Sequence, residues 1–147
     1  GRGGSPLQNL IIRGHKKTKI SAIKVSNEID AGDVYLRSNL DLCGSAQEIF
    51  IRSSSIIYDM ISEILIKKPK PIPQSGKITN FKRRTPSQGS IENLSDLEQV
   101  HDFIRMLDCE EYPHAFIETS KLKFEFINSK FDLRNNFINA NVRIFKK

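Results

Sequence analysis

The sequence predicts an α/β domain with a more β-rich C-terminal end. Three observations carry that expectation. Helix-start signals recur at Ser5, Ser45 and Ser95, each followed by apolar residues at three- and four-residue steps. β-branched stretches fall between the first two helices. After the third helix the chain turns to alternating apolar and polar residues.

The elements follow in order. Ser5-Pro6-Leu7-Gln8 combines a Ser cap, Pro at the first helical position and Gln where a capping box needs it. Leu7, Leu10 and Ile11 form the apolar face of that helix, and Gly14 is its stop. Residues 19–26 and 33–38 read as strands around a turn at 29–32. Ser45-Ala46-Gln47-Glu48 is a second capping box. It opens the longest helix, whose Ala46, Ile49, Phe50, Ile57, Met60, Ile61 and Ile64 predict one broad buried face. Pro69, Pro71 and Pro73 end it and impose an extended connector. Residues 77–83 read as extended. Ser95-Asp96-Leu97-Glu98 is a third capping box, with Leu97, Val100, Ile104 and Leu107 facing inward. Residues 115–119, 122–127 and 137–145 read as strands.

Composition narrows the function classes. The 147 residues are 38% hydrophobic and 27% charged, ordinary for a globular chain. No run reaches the length of a membrane span, so no membrane partner is expected. Cys43 and Cys109 form no disulfide framework or metal-ligand spacing, which favours a reduced cytoplasmic compartment and no metal. The net charge of +6 favours an anionic partner. Charge is segregated: residues 1–27 hold six basic residues and no acid, and residues 64–87 hold seven and no acid. Residues 92–111 then carry seven acids against Arg105 alone. With no Trp, and no aromatics alternating with the basic residues along the chain, a nucleic-acid partner is not expected.

Three segments stand out as candidate chemistry. Gly1-Arg2-Gly3-Gly4-Ser5-Pro6 is a glycine-rich loop running into a helix, and it opens as if cut from a longer protein. Glu28-Ile29-Asp30-Ala31-Gly32-Asp33 puts three carboxylates on a turn between strands, where a carboxylate can take a proton during group transfer. Phe81-Lys82-Arg83-Arg84-Thr85-Pro86 offers guanidinium groups to phosphate, and Tyr112-Pro113-His114-Ala115-Phe116 can shape a pocket wall. His15, His101 and His114 are scattered and read as surface or packing residues.

Taken in order, these segments resemble the folate-dependent formyltransferase family. The 1–8 opening resembles the segment after that family's Asn-x-His…Ser-x-Leu-Pro motif, and residues 19–36 resemble its strand and aspartate loop. The resemblance covers nearly the whole chain and is strongest to residue 68. It implies the C-terminal part of a Rossmann-like mixed sheet with flanking helices and a small β-rich extension. Residues 1–68 would be the C-terminal half of the catalytic domain, and 69–147 a connector, helix and β-rich extension.

The resemblance also implies an activity, formyl transfer from 10-formyltetrahydrofolate to an amine. Asp30 matches the family's catalytic aspartate. Glu28, Ile29, Asp30, Gly32 and Asp33 match the loop that lies against the folate. The family's Asn and His, which would stabilise the developing oxyanion, would belong upstream of Gly1. The 147-residue piece alone is therefore expected to be inactive and poorly packed.

Two acceptor branches compete. The Arg83-Arg84-x-Pro86 segment and the Tyr112 turn resemble the sugar branch, which implies a nucleotide-linked amino sugar held by Arg83, Arg84 and Tyr112. Homodimers are common in that branch, and Phe124, Phe126, Phe131, Phe137 and Phe145 supply apolar surface for such an interface or, equally, for core packing. The tRNA branch carries a further C-terminal domain of roughly a hundred residues, which the length after Phe116 does not accommodate. Methionyl-tRNA formylation and a non-catalytic anion-binding module stand as the alternatives.

Overall fold

The computed structural model describes residues 1–147. It is a mixed α/β structure of three helices and three small sheets. Strand β1 (Arg2–Gly3) leads into α1 (Pro6–Ile12), then β2 (Lys17–Ile23), β3 (Val34–Asp41) and α2 (Ala46–Lys67). After the connector come β4 (Asn80–Phe81), α3 (Leu97–Leu107), β5 (Ala115–Glu118), β6 (Leu122–Asp132) and β7 (Phe137–Lys146). No helix is long and apolar enough to cross a membrane.

The sheets are local except for one. Strands β2 and β3 form an antiparallel hairpin from Lys17↔Asp41 to Ile23↔Val34. Strands β5, β6 and β7 form an antiparallel meander in that order. The third sheet joins β1 and β4 in parallel, Arg2 opposite Asn80 and Gly3 opposite Phe81. Only these two residues of the expected 77–83 strand are extended in a ladder.

Helix caps explain where the helices begin. At α2, the Ser45 hydroxyl accepts from the Glu48 N–H while the Glu48 carboxylate accepts from the Ser45 N–H at 2.8 Å, the reciprocal box that the sequence predicts. For α3 the cap moves one residue on: Asp96 accepts from the Gln99 N–H at 2.9 Å, because a carboxylate is at least as good a cap as Ser95. Ser5 does not cap α1. Its backbone lies at φ 49, ψ 49, and its hydroxyl instead accepts the Arg84 N–H at 3.1 Å.

The core sits where α1, β3, α2 and α3 meet. Ile11, Leu42, Ile49, Ile104 and Met106 are fully buried there, and each such side chain contributes about 2–5 kcal/mol against Ala. Within it Arg105 pairs with Asp102 at 2.6 Å and donates to the carbonyls of Leu42 (2.6 Å) and Gly44 (3.1 Å). That guanidinium ties α3 to the loop between β3 and α2. The broad buried face expected along α2 is only partly realised. Ala46, Ile49 and Met60 are buried and Phe50 and Ile64 half-buried, whereas Ile57 and Ile61 are exposed. The two-stranded β2–β3 hairpin is too narrow to cover a helix of 22 residues.

Candidate functional site

The three segments singled out in the sequence meet at one place. Strand β1 is the hub. Arg2 N–H donates to the Thr79 carbonyl at 2.8 Å and Gly4 N–H to the Phe81 carbonyl at 3.0 Å, which draws the basic run against the glycine-rich loop. Glycine is required at this contact: a Cβ on Gly3 would lie 2.4 Å from the Phe81 carbonyl oxygen. Asn9 locks the assembly with one side-chain amide, which donates to the carbonyls of Gly4, Ser5 and Lys82 at 3.2, 2.9 and 3.2 Å.

On the other side of β1 lies the aspartate loop. Gly3 N–H donates to the Asp30 carboxylate at 2.8 Å. Asp30 itself is exposed and adopts φ 55, a left-handed conformation in which Asp is among the tolerated residues. The loop is closed by the Lys24 N–H donating to the Asp33 carbonyl at 2.7 Å. Gly32 makes that closure possible, since a Cβ there would lie 1.7 Å from the Lys24 carbonyl oxygen. Glu28 and Ile29 project outward, Ile29 with 80% of its surface exposed. No histidine hydrogen-bonds Asp30. His114 is buried with Nδ1 3.2 Å from the Leu107 carbonyl, and His101 pairs with the Ser129 hydroxyl at 2.9 Å.

A cleft of about 420 Å³ adjoins the basic run, and Arg83, Arg84, Tyr112, Glu111 and Ser5 are among its lining residues. The two arginines differ. Arg84 is half-buried, donates to the Gln88 carbonyl and lies 5.4 Å from the Phe103 ring centroid; burial pushes its guanidinium below the ordinary value. Arg83 is exposed and its guanidinium has no hydrogen-bond or ion-pair partner. Tyr112 stacks in a tilted arrangement on Phe50 at 5.8 Å, which fixes the cleft wall to α2. No three His, Cys, Asp or Glu side chains converge to hold a metal.

Sequence reasoning missed the amides that hold the site. Asn9 lies inside an apolar helix pattern and Gln74 in a proline-rich connector, so neither carried a spacing signal. Gln74 donates to the carbonyls of Asp30 (2.9 Å) and Gly32 (2.7 Å) and accepts from Arg2 at 3.1 Å.

A carboxylate loop closed on a β-hairpin is joined through a glycine-rich strand to a basic cleft, and the chain that carries it is similar to formyltransferases. Residues 86–145 match the family model described as the C-terminal domain of methionyl-tRNA formyltransferase. The chain is 29% identical over 146 residues to the methionyl-tRNA formyltransferase of Mesoplasma florum, covering 95% of this chain and 45% of that protein. It is 53% identical to the structure of a methionyl-tRNA formyltransferase from Clostridium thermocellum, with a TM-score of 0.95 over 100% of this chain and 64% of that one. A sugar 3N-formyl transferase, WlaRD, solved in the presence of dTDP and 5-N-formyl-THF, shares the fold at 18% identity and a TM-score of 0.63, over 96% of this chain and 58% of that one. The chain thus spans less than two thirds of the length of the relatives it matches.

These relatives overturn one expectation. A nucleotide-linked amino sugar as partner, with nucleic acid disfavoured, does not fit relatives that are methionyl-tRNA formyltransferases. Nor was the tRNA branch's C-terminal domain absent, since its family model matches from residue 86. The expectation rested on neighbours along the sequence, whereas cations and aromatics here pair between distant segments, Arg13 with Phe81 at 4.7 Å and Arg84 with Phe103 at 5.4 Å.

Proposed function

We propose that this chain forms part of a methionyl-tRNA formyltransferase, acting in the cytoplasm to transfer a formyl group from 10-formyltetrahydrofolate to the amino group of methionyl-tRNA. The observation that carries this reading is the convergence of Asp30, β1 and the Arg83 cleft, together with relatives of that activity. In this reading residues 1–68 belong to the catalytic unit, and residues 69–147 supply the connector and the C-terminal unit.

Each residue has a chemical task. Bound folate supplies the formyl carbon. The loop suits a flat heterocycle: Ile29 offers an exposed apolar face, and the Glu28 and Asp33 carboxylates offer acceptors beside it, with Gly32 keeping the turn tight. As the acceptor nitrogen bonds to the formyl carbon and the carbon–N10 bond breaks, the amine sheds a proton. Asp30, held by the Gly3 N–H with Oδ1 free of protein partners, accepts or relays it. Arg83, Arg84 and Tyr112 form the acceptor side. Arg83 meets a phosphate of the tRNA, Arg84 holds the loop that presents it, and Tyr112 lines the wall, 38% exposed.

The test is formyl transfer by the gene product that carries residues 1–147, with 10-formyltetrahydrofolate as donor and methionyl-tRNA as acceptor. Transfer that needs the charged tRNA and falls about a hundredfold in Asp30→Asn is expected. No transfer to methionyl-tRNA by the wild-type protein would sink the reading.

A further inference from the structure

The connector after α2 does more than link two units. Ile72 exchanges two backbone hydrogen bonds with Val34, Val34 N–H to the Ile72 carbonyl at 2.8 Å and Ile72 N–H to the Val34 carbonyl at 2.9 Å. That bridge delivers Gln74, half-buried, to the underside of the aspartate loop. Its single side-chain amide then spends both N–H bonds on the loop, on the Asp30 carbonyl (2.9 Å) and the Gly32 carbonyl (2.7 Å). Its oxygen accepts from Arg2 at 3.1 Å, and Arg2 belongs to the same two-residue strand whose Gly3 holds the Asp30 carboxylate. Asp30 is therefore fixed twice, through its carboxylate by Gly3 and through its carbonyl by Gln74.

Such a brace has work to do. Asp30 adopts a left-handed conformation, which Asp tolerates but occupies only as a minority state, so a contact that holds the turn favours it. Residues 25–30 are exposed, and within them the Ser26 hydroxyl donates to the Glu28 carbonyl at 2.9 Å, so no core packing holds the turn. We propose that Gln74 is the positioning residue for Asp30, fixing the loop conformation in which the carboxylate addresses the reacting amine. The inference rests on the assignment of Asp30 as the proton acceptor. Gln74 acts through the loop and touches neither substrate.

Two substitutions separate this role from simple packing. Gln74→Ala removes all three hydrogen bonds. Gln74→Glu keeps an acceptor for Arg2 but turns oxygens toward the two loop carbonyls. In the full-length gene product, both variants are expected to lose turnover about ten- to a hundredfold, with KM for 10-formyltetrahydrofolate and methionyl-tRNA nearly unchanged. Amide hydrogen exchange at Gly3 and Lys24, whose N–H groups are bonded to the Asp30 carboxylate and the Asp33 carbonyl, should accelerate in both while the amides of α2 keep their protection. Adding Gln74→Ala to Asp30→Asn should cost little further turnover, since the brace has no carboxylate left to position. Unchanged exchange at Gly3 and Lys24, or a turnover loss that adds in full to that of Asp30→Asn, would overturn the proposal. Unchanged turnover in Asp30→Asn would instead remove the assignment of Asp30 itself, and the exchange data tell the two failures apart.

Discussion

Two charged groups on this chain are held in opposite ways. Arg105 is buried, its guanidinium answered by Asp102 and by the carbonyls of Leu42 and Gly44. Asp30 is exposed, with one carboxylate oxygen bonded to the Gly3 N–H and the other open. The first group has its Nε and Nη1 donors committed to the fold. The second is fixed in direction yet unsaturated, the condition a reacting group needs. If Asp30 carries the proposed proton transfer, stability and chemistry occupy separate regions of the molecule, and substitutions should separate them too.

The largest effect is expected at the buried pair. Arg105→Met leaves Asp102 buried without a partner and should lower the unfolding free energy by about 3–5 kcal/mol, read from the urea midpoint. Pairing Arg105→Met with Asp102→Leu should recover most of that loss, because the desolvation of two charges disappears with them. A double variant as unstable as the single one would show that the carbonyl bonds, not the ion pair, carry the junction. Asp30→Asn gives the mirror image: turnover falls about a hundredfold while the urea midpoint stays put. A shifted midpoint would merge the two regions that the structure separates.

Arg83 and Arg84 sharpen the comparison within one dipeptide. Arg83→Ala should raise KM for methionyl-tRNA several-fold, reduce the salt dependence of binding by about one phosphate contact and leave stability alone. Arg84→Ala should instead cost stability, about 1 kcal/mol, through the lost Phe103 stacking and Gln88 bond. Interchanged outcomes would reverse the roles assigned from their exposure. The smallest effect concerns His101. Burial first, then the positive charge of Arg105, holds its imidazole below the ordinary 6.5. As pH falls below about 6.5 the unfolded chain takes up this proton before the native one does, so stability should decline toward pH 5. Stability of His101→Gln should fall less steeply over the same range, and an identical slope would assign the pH dependence elsewhere.

The sequence was most legible where one local rule suffices. The Ser45 box, the helix it opens and the C-terminal meander all follow from capping chemistry and alternation, which depend on near neighbours. Strand ends shifted by a few residues, since β2 starts at Lys17 and β6 continues to Asp132 through a bulge at Asn128. Asp30, Arg83, Arg84 and Tyr112 stood out by residue type and resemblance, but their meeting did not. It depends on β1 pairing with β4, on Asn9 and on Gln74, contacts between segments far apart in sequence. The half-exposed face of α2 misled for the same reason: periodicity reports which residues share a face, not whether anything covers it.

That long-range closure has a consequence for how the protein is made. Arg2 and Gln74 are 72 residues apart, and Ser5 and Arg84 are 79 apart. During synthesis the glycine-rich strand and the aspartate loop leave the ribosome with none of these partners yet in existence. At about 5–20 residues per second, the roughly fifty residues from the loop to Arg84 take about 3–10 s to emerge. Throughout that interval the β2–β3 hairpin can form alone, whereas the Asp30 carbonyl and the Ser5 hydroxyl face water. Ribosome-bound chains too short for Gln74 and Arg84 to have emerged should therefore be cleaved faster within the 26–33 segment than chains long enough to present both.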